Sequence, residues 1–323
     1  MILILTEKSD TTTYHIAKWL ECYNIEVLII TDEDKIETVC IDNDGILISI
    51  NGKSIDFKDI EAYWYRRGFF NLPYNINPEQ FPTEVVNDLK KEMSLVNEIL
   101  HNYLLNVPNL SSFFNSDLNR VCVLQAAKSV GLQIPNFIVC NQKNSVEDFF
   151  NKYPKIVNKP IWNGLYSNIA NVQYMNYTNE FTKEELKELP TLFAPSLFME
   201  YIEKKYELRV FYLNGECYTM AILSQNDTQT QIDFRRYNKG IPNRNEPYLL
   251  PLNIKKKIVK LMNKVKLKTG SIDIIVTPND DFVFLEVNPI GQFLNVSHTC
   301  NFNLEKQIAK YLSNLANENR RVS

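Results

Sequence analysis

A strand–turn–strand pattern in residues 271–293 constrains the fold of this chain more than any other stretch of its sequence. Residues 278–281, PNDD, favour a turn and lie between two apolar runs, which predicts an antiparallel hairpin. A four-residue loop would fix how the two strands pair. The facing pairs in that register are Thr277 with Phe282, Asp273 with Glu286, and Ser271 with Asn288. The hairpin is therefore expected to bring polar residues of both strands together.

The two faces of this hairpin are predicted to differ in polarity, because strand side chains alternate between faces. The expected apolar face collects Ile272, Ile274, Val276, Val283, Leu285 and Val287. The other face carries Asp273, Glu286 and Asn288. Two carboxylates directly opposite each other repel, so this face is either a solvated surface with an unfavourable charge pair or a cation site. Three oxygen ligands with room for water and phosphate suit Mg²⁺, which we favour.

The composition is that of an ordinary soluble globular protein, with 45% apolar and 23% charged residues in 323. This length suffices for two or three lobes with their own cores. A net charge of -3 without a long basic run gives no sign of nucleic-acid binding. No apolar stretch approaches membrane-spanning length, and the first residues lack the basic region of a signal peptide. Six scattered cysteines without a C-x-x-C pair predict reduced, mostly buried thiols in a cytoplasmic protein.

The N-terminal part of the chain predicts an α/β lobe. Apolar strands at residues 2–5 and 25–30 enclose a helix, which is a βαβ unit with the second strand central and parallel. Residues 51–52, Asn-Gly, predict a hairpin turn. A long amphipathic helix follows at residues 81–106. Its buried stripe is expected to contain Val85, Leu89, Met93, Val96, Leu100 and Leu104.

Several basic and acidic residues follow strands in this sequence. Arg66 and Arg67 end a strand, where they either bind substrate carboxylates by bidentate contacts or lie in a solvated turn. Lys155 and Lys159 share one face of a later strand, so spacing alone does not choose between them. Glu207 and Arg209 share a face further on, as nucleotide contacts or as a simple ion pair. The last helix is predicted at 304–315, with a frayed tail from Asn317.

The metal-binding pattern resembles a known family. Asp273, a hairpin and then Glu286-Val287-Asn288-Pro289 is similar to the metal-binding end of the ATP-grasp ligases, in which these residues hold two Mg²⁺ ions that bridge the ATP phosphates. The extension at residues 289–293, PIGQF, resembles the maturases of graspetides, which are microviridin-like peptides crosslinked through side chains. The resemblance is greatest to the maturases of grasp-with-spasm systems, and it extends over the whole chain.

The resemblance implies an α/β fold of ATP-grasp type with an N-terminal preATP-grasp α/β domain. The implied domains are residues 1–114 for the preATP-grasp domain, 115–198 for the central lid subdomain, and 199–323 for the C-terminal subdomain with the metal site. One departure from the family lies in residues 161–167, where a glycine-rich phosphate loop is expected and only one glycine occurs. Backbone contacts to phosphate are therefore not assigned there.

The resemblance also assigns roles to individual residues. Arg120 and Lys159 are expected at the ATP phosphates, residues 200–202 at the adenine, and Glu207 at the ribose. Arg209, Arg236 and Lys239 are expected to offset negative charge during phosphoryl transfer. The residues expected to bind nucleotide are thus Arg120, Lys159, Glu200, Tyr201, Ile202 and Glu207. Arg66 and Arg67 are expected to contact the substrate.

The implied activity is that of an ATP-dependent ligase acting on a precursor peptide. A peptide carboxylate would be phosphorylated by Mg-ATP, and a hydroxyl or amine would then displace phosphate to form an ester or amide crosslink. A leader segment of the precursor and a homodimeric state are also implied. Two alternatives remain open, a RimK-like ligase that adds amino acids to a protein terminus and a non-catalytic ATP sensor.

Overall fold

A computed structural model describes residues 1–73, 77–162, 166–169, 172–175, 179–224 and 243–322. For residues 166–169 and 172–175 the description is confined to the backbone. The chain forms two compact units, one of Met1–Ser116 with Asn303–Ser323 and one of Asp117–Phe302. The expected boundary between residues 198 and 199 falls inside a strand of the second unit.

The first unit is an α/β assembly with a parallel sheet and an antiparallel sheet. Its elements are β1 (Ile2–Thr6), α1 (Thr11–Cys22), β2 (Val27–Thr31), β3 (Ile36–Ile41), β4 (Ile46–Ile50), β5 (Lys53–Asp56), β6 (Ala62–Tyr65), α2 (Thr83–Leu105) and, from the end of the chain, α8 (Leu304–Val322). The parallel sheet has the order β2-β1-β6, and β3-β4-β5 form an antiparallel sheet. The predicted βαβ unit and the turn between β4 and β5 are therefore confirmed.

The structure corrects three expectations in this unit. Among the described strands β2 lies at an edge rather than in the centre, because β1 has β2 on one side and β6 on the other. On α2 the expected stripe is only partly buried: Leu100 and Leu104 are buried and Val85 is exposed, with Val86 buried in its place. The remaining stripe residues are half-buried, namely Leu89, Met93 and Val96. Helix α8 continues to Val322, whereas fraying was expected from Asn317.

The second unit combines two larger sheets with helices. Its elements are α3 (Arg120–Ser129), β7 (Phe137–Gln142), α4 (Lys143–Lys152), β8 (Ile156–Lys159), β9 (Tyr166–Ile169), β10 (Val172–Met175), β11 (Asn179–Phe181), α5 (Lys183–Glu188), β12 (Leu192–Glu200), β13 (Tyr206–Leu213), β14 (Glu216–Leu223), β15 (Arg244–Pro247), α6 (Leu252–Lys264), β16 (Thr269–Val276), β17 (Phe282–Asn288) and α7 (Leu294–Thr299). The sheet orders are β11-β8-β12-β7 and β15-β14-β13-β16-β17, with β9 and β10 paired separately.

The core of the second unit lies on one face of the five-stranded sheet. Buried residues of α3 and α6, such as Leu124 and Leu261, pack with Val210 of β13 and Ile272 of β16. Helix α3 begins at Arg120, because the side chain of Asn119 accepts hydrogen bonds from the backbone N–H groups of Val121 and Cys122. With this face buried, the opposite face of the sheet is left to form a site.

The hairpin of β16 and β17 has the predicted polar pairs but a different turn. Asp273 pairs with Glu286 and Ser271 with Asn288, as expected. Nearer the turn, however, Val276 rather than Thr277 pairs with Phe282. The register shifts between these two regions, and Leu285 is the extra residue on β17.

This bulge changes which side chains face the core. Phe284 packs in the core opposite Ile274, whereas Leu285 and Glu286 both lie on the other face. Val283 pairs with Ile275 and shares that other face, so Val283 and Leu285 were assigned to the wrong face. A strictly alternating strand cannot place two successive residues on one face, which is why the pattern alone missed this arrangement.

Two further observations concern the chain as a whole. No helix among the described residues is long and apolar enough to cross a membrane. All six cysteines are free, but only Cys300 is buried, so the expectation of mostly buried thiols is wrong.

Candidate active site

A cavity of about 420 Å³ lies in the second unit, on the face of the five-stranded sheet opposite the core. Register partners on adjacent strands line it in a row, Met220 of β14, Arg209 of β13, Asp273 of β16 and Glu286 of β17. A second row contains Ile222, Glu207 and Ile275. The expectation that Glu207 and Arg209 share a face is therefore confirmed.

Arg209 holds the carboxylate of Asp273 in this cavity. Its Nη1 donates to Oδ1 and Oδ2 of Asp273, both at 2.7 Å, and the two side chains are only 18% and 15% exposed. Burial raises the pKa of the Asp273 carboxyl above its ordinary value, Arg209 opposes this shift, and the like charge of Glu286 adds to it. Arg209 thus supplies positive charge where two acids face each other.

Arg120 holds the second carboxylate, that of Glu286. Its Nε and Nη2 donate to Oε2 of Glu286 at 3.2 and 3.0 Å. Its Nη1 donates to the carbonyl oxygens of Pro160 and Trp162, just after β8. The start of α3 therefore connects the end of β8 to the carboxylate on β17.

Asn288 lies at the end of β17 in a tight turn. Its side-chain Oδ1 accepts from Ile290 N at 3.0 Å, and its backbone oxygen accepts from Gly291 N at 3.1 Å. Asn288 lines the cavity together with Gln292 and with Asn295 of α7. The turn holds the Asn288 amide beside the two carboxylates.

The chemistry of these side chains fits Mg²⁺. Asp273, Glu286 and Asn288 supply hard oxygen ligands on one wall of the cavity, and the space beside them admits water or phosphate. Arg209 and Arg120 already offset the charges of the two carboxylates, so the fit to Mg²⁺ rests on the oxygen ligands and not on uncompensated charge. No group of three or more His, Cys, Asp or Glu side chains suited to a metal occurs in the described parts of the chain. The amide of Asn288 is thus the third ligand available here.

Glu207 is paired with a residue that the sequence did not single out. Lys204 donates its Nζ to Oε1 of Glu207, and both residues are buried at the cavity wall. A lysine three residues before an acid is common on protein surfaces, so the sequence did not indicate this pair. Only the burial of Lys204 distinguishes it from a surface ion pair. The pair leaves Glu207 with charge compensation inside the cavity.

Lys159 and Lys155 lie in different surroundings, although the spacing in the sequence did not choose between them. Lys159 lines the cavity at the end of β8. Lys155 is exposed, and its Nζ lies 5.7 Å from the centre of the Tyr201 ring. Only Lys159 is therefore placed among the residues expected at a nucleotide.

Glu200, Tyr201 and Ile202 line the cavity where β12 ends. The carboxylate of Glu200 accepts from the Asn136 side chain at 2.8 Å, and the Tyr201 N–H donates to Lys155 O at 3.0 Å. The Tyr201 N–H is thus engaged within the protein. The apolar side chains around this end were not foreseen, since each lies on a different element. They are Pro135, Val157, Met199, Met220 and Ile222.

Two expected site residues lie in the first unit, and two others are not described. Arg236 and Lys239 fall outside the described residues. Arg66, in the first unit, is 3% exposed, with its Nε 2.9 Å from Asp10 Oδ2, and burial lowers its pKa to about 10. Its guanidinium therefore belongs to a buried ion pair, and a contact with substrate is expected only of Arg67, whose side chain is 33% exposed.

Comparison with known proteins gives one family and several similar structures. A family model described as the RimK-like ATP-grasp domain matches residues 118–312. The macrocyclase MdnC from Microcystis aeruginosa MRC, bound with precursor peptide MdnA, is 25% identical with a TM-score of 0.80, over 97% of this chain and 100% of that chain. No curated protein matches significantly.

Two further solved structures share the fold. A RiPP-associated ATP-grasp ligase from Chryseobacterium gregarium, in complex with ADP and a leader and core peptide, is 24% identical with a TM-score of 0.81, over 97% of this chain and 96% of that one. The macrocyclase MdnB from Microcystis aeruginosa MRC is 22% identical with a TM-score of 0.74, over 96% and 98%. The similarity therefore spans both units of the chain.

Proposed function

Because the chain belongs to the RimK-like ATP-grasp family, we propose that it is an ATP-dependent ligase that crosslinks side chains within a ribosomal precursor peptide. The observation that carries this proposal is the cavity, which has an apolar end around Met199 and Ile222 and a polar end with Asp273, Glu286 and Asn288. Such a cavity suits a nucleotide, with the base against the apolar side chains and the phosphates beside a metal ion held by the oxygen ligands. The fold of the peptide-bound macrocyclase MdnC supports a peptide substrate.

In the proposed reaction, an Asp or Glu carboxylate of the peptide attacks the γ-phosphorus of ATP. The bond from that phosphorus to the β–γ bridging oxygen breaks, which gives an acyl phosphate and ADP. A Thr or Ser hydroxyl, or a Lys amine, then attacks the acyl carbon and loses its proton as phosphate leaves. The product is an ester or an amide, and we favour the ester.

The residues of this chain would bind and orient the reactants. Lys159 would bind phosphate oxygens, Glu207 would accept hydrogen bonds from the ribose hydroxyls, and residues 200–202 would contact the adenine. Mg²⁺ held by Asp273, Glu286 and Asn288 would supply charge neutralisation at the phosphates. Arg209, adjacent to Asp273, would hold the peptide carboxylate or the transferring phosphoryl group. Arg236 and Lys239 are proposed as further cations, and Arg67 as a contact to the peptide.

The proposal includes the setting in which the enzyme works. We propose that a leader segment of the precursor binds the enzyme and that the enzyme acts as a homodimer in the cytoplasm. The six free cysteines are consistent with a reducing compartment. A leaderless core peptide modified as fast as the full precursor would contradict the leader. Light scattering that gives a monomer would contradict the dimer.

The decisive experiment is mass spectrometry of a candidate precursor, a small peptide rich in Thr, Ser, Lys, Asp and Glu, after incubation with the enzyme and Mg-ATP. Each crosslink should lower the peptide mass by one water, about 18 Da, because an internal nucleophile displaces phosphate. Esters should open in mild base, whereas amides should not. A gain of amino-acid mass would indicate the amino-acid ligase instead. Nucleotide binding without any peptide-dependent phosphate release would indicate a sensor.

A further inference from the structure

The turn that follows β17 is packed closely against the neighbouring strand. Ser271 of β16 is completely buried, and its Oγ donates to Gln292 O at 3.1 Å. A Cβ added to Gly291 would overlap both Cβ and Oγ of Ser271, and it would lie 3.1 Å from Asn288 O. Gly291 therefore lets the turn approach β16 more closely than any residue with a side chain would.

The same turn determines where Asn288 lies. Gly291 N donates to Asn288 O, and Ile290 N donates to Asn288 Oδ1. On the other side, a Cβ at Gly270 would lie 3.2 Å from Asn288 O. The backbone of Asn288 is thus enclosed between two glycines, and its side chain is tied to the turn that Gly291 forms. A shift of Gly291 away from Ser271 must move Asn288.

We propose that Gly291 is a positioning residue for the metal ligand Asn288, and that the Cβ of Ser271 is what excludes a side chain at position 291. This inference rests on the proposed metal site. Gly291 does not line the cavity, so in this proposal it binds neither the nucleotide nor the metal itself. It acts by setting how far the turn lies from β16, and through that the position of the Asn288 amide beside Asp273 and Glu286. Residues that orient ligands in this way typically change metal affinity by about 10- to 100-fold when altered.

The test measures binding of Mn²⁺ in the presence of ADP, by the electron paramagnetic resonance signal of free Mn²⁺, because Mn²⁺ accepts the same oxygen ligands as Mg²⁺. Gly291→Ala should weaken Mn²⁺ binding by about tenfold or more. Adding Ser271→Gly should restore most of the lost affinity, measured against the single Ser271→Gly variant, because it removes both overlapping atoms and leaves only the 3.1 Å contact with Asn288 O. Adding Ser271→Ala is the matched control and should restore nothing, since the Cβ remains.

A second comparison tests whether the effect passes through Asn288. In an Asn288→Ala background, Gly291→Ala should change Mn²⁺ affinity no further, as expected for two residues that act as one unit. If the two effects instead multiply, or if Gly291→Ala binds Mn²⁺ like the wild type, the proposal is overturned. The proposal is also overturned if the double variant with Gly291→Ala and Ser271→Gly has the melting temperature of the Ser271→Gly variant but regains no Mn²⁺ affinity.

The double variants and the Glu286→Gln variant keep the positioning role of Gly291 distinguishable from a folding defect and from failure of the metal site. If Gly291→Ala alone does not fold, the two double variants carry the comparison, and equal behaviour of both would contradict the proposal. If the wild type binds no Mn²⁺, or if Glu286→Gln binds it equally well, the proposed metal site fails and the role of Gly291 fails with it. Wild-type binding that Glu286→Gln abolishes, with no effect of Gly291→Ala, would refute only the positioning role.

Discussion

Asp273 and Glu286 are register partners across β16 and β17, and each carboxylate is bound by an arginine from a different element. Arg209 reaches Asp273 from the adjacent β13, whereas Arg120 reaches Glu286 from the start of α3. The bulge at Leu285 is what keeps the two acids in register. The charge repulsion expected of this pair is therefore offset inside the protein, and two guanidinium groups lie beside the proposed phosphate position.

We expect Glu286→Gln to lower peptide-dependent ADP formation by at least about 100-fold while the protein stays folded, because a charged oxygen ligand is lost. Arg120 retains its bonds to the carbonyl oxygens of Pro160 and Trp162, so circular dichroism should change little. Asp273→Asn and Asn288→Ala should act in the same direction. Glu246→Gln on β15 is the control for loss of a glutamate charge. Wild-type turnover by Glu286→Gln would refute the metal assignment.

Lys159→Ala should raise the Kd for ADP about tenfold or more, because it removes a cation from the proposed phosphate position. Lys155→Ala is a closely matched control, since it removes the same charge four residues away, outside the cavity. Isothermal titration calorimetry of both variants gives the comparison. A damaging Lys155→Ala beside a silent Lys159→Ala would show that the phosphates of the nucleotide lie near the start of β8 and not at its end.

Glu207→Gln should weaken the preference of the enzyme for ribose hydroxyls, because the neutral amide oxygen accepts weaker hydrogen bonds than a carboxylate. Hydrogen bonds to a charged acceptor contribute about 1.5–3 kcal/mol, so the wild type should have a KM for ATP at least about tenfold below that for 2′,3′-dideoxy-ATP. The variant should show a smaller difference in KM between the two nucleotides than the wild type does. Lys204→Met alters the same buried pair without removing the acceptor, and it should keep the discrimination. If Glu207→Gln keeps it as well, Glu207 serves only its ion pair with Lys204.

His101 should make the first unit less stable in acid. Burial lowers its pKa from 6.5 to about 4, and its ring stacks on Phe113 with 4.2 Å between centroids. The unfolded chain then binds more protons than the folded one between these values, so stability is complete above pH 6.5 and falls as pH approaches 4. The loss should reach about 3 kcal/mol.

Urea unfolding followed by tryptophan fluorescence in a Trp162→Phe background measures this effect, because Trp19 and Trp64 both lie in the first unit. His101→Phe keeps an aromatic ring in the stack and removes the titrating group. Its free energy of unfolding should fall less than that of the wild type between pH 6.5 and pH 4.5. Identical pH profiles for the two proteins would contradict the prediction.

The sequence allowed the polar pairs of the hairpin and the shared face of Glu207 and Arg209 to be predicted, because strand alternation and turn residues are local properties. The loop of the hairpin is one residue longer than predicted, because Val276 and not Thr277 pairs with Phe282. The extra residue Leu285 on β17 then shifts the register by one in the opposite sense. The longer loop and the bulge cancel, so Asp273 pairs with Glu286 as predicted. Between them the register differs, and for this reason Val283 and Leu285 were assigned to the wrong face.

The partners of the charged residues were decided by tertiary structure alone. Arg120 and Glu286 are 166 residues apart, and Arg66 became buried against Asp10 instead of facing solvent. Sequence periodicity does not predict such pairs, because they depend on how separate elements pack against each other and on which charged groups are desolvated by that packing. By itself the sequence determined that Asp273 pairs with Glu286 and that Glu207 and Arg209 share a strand face. Packing then decided which residues meet in the cavity and which charge neutralises each acid.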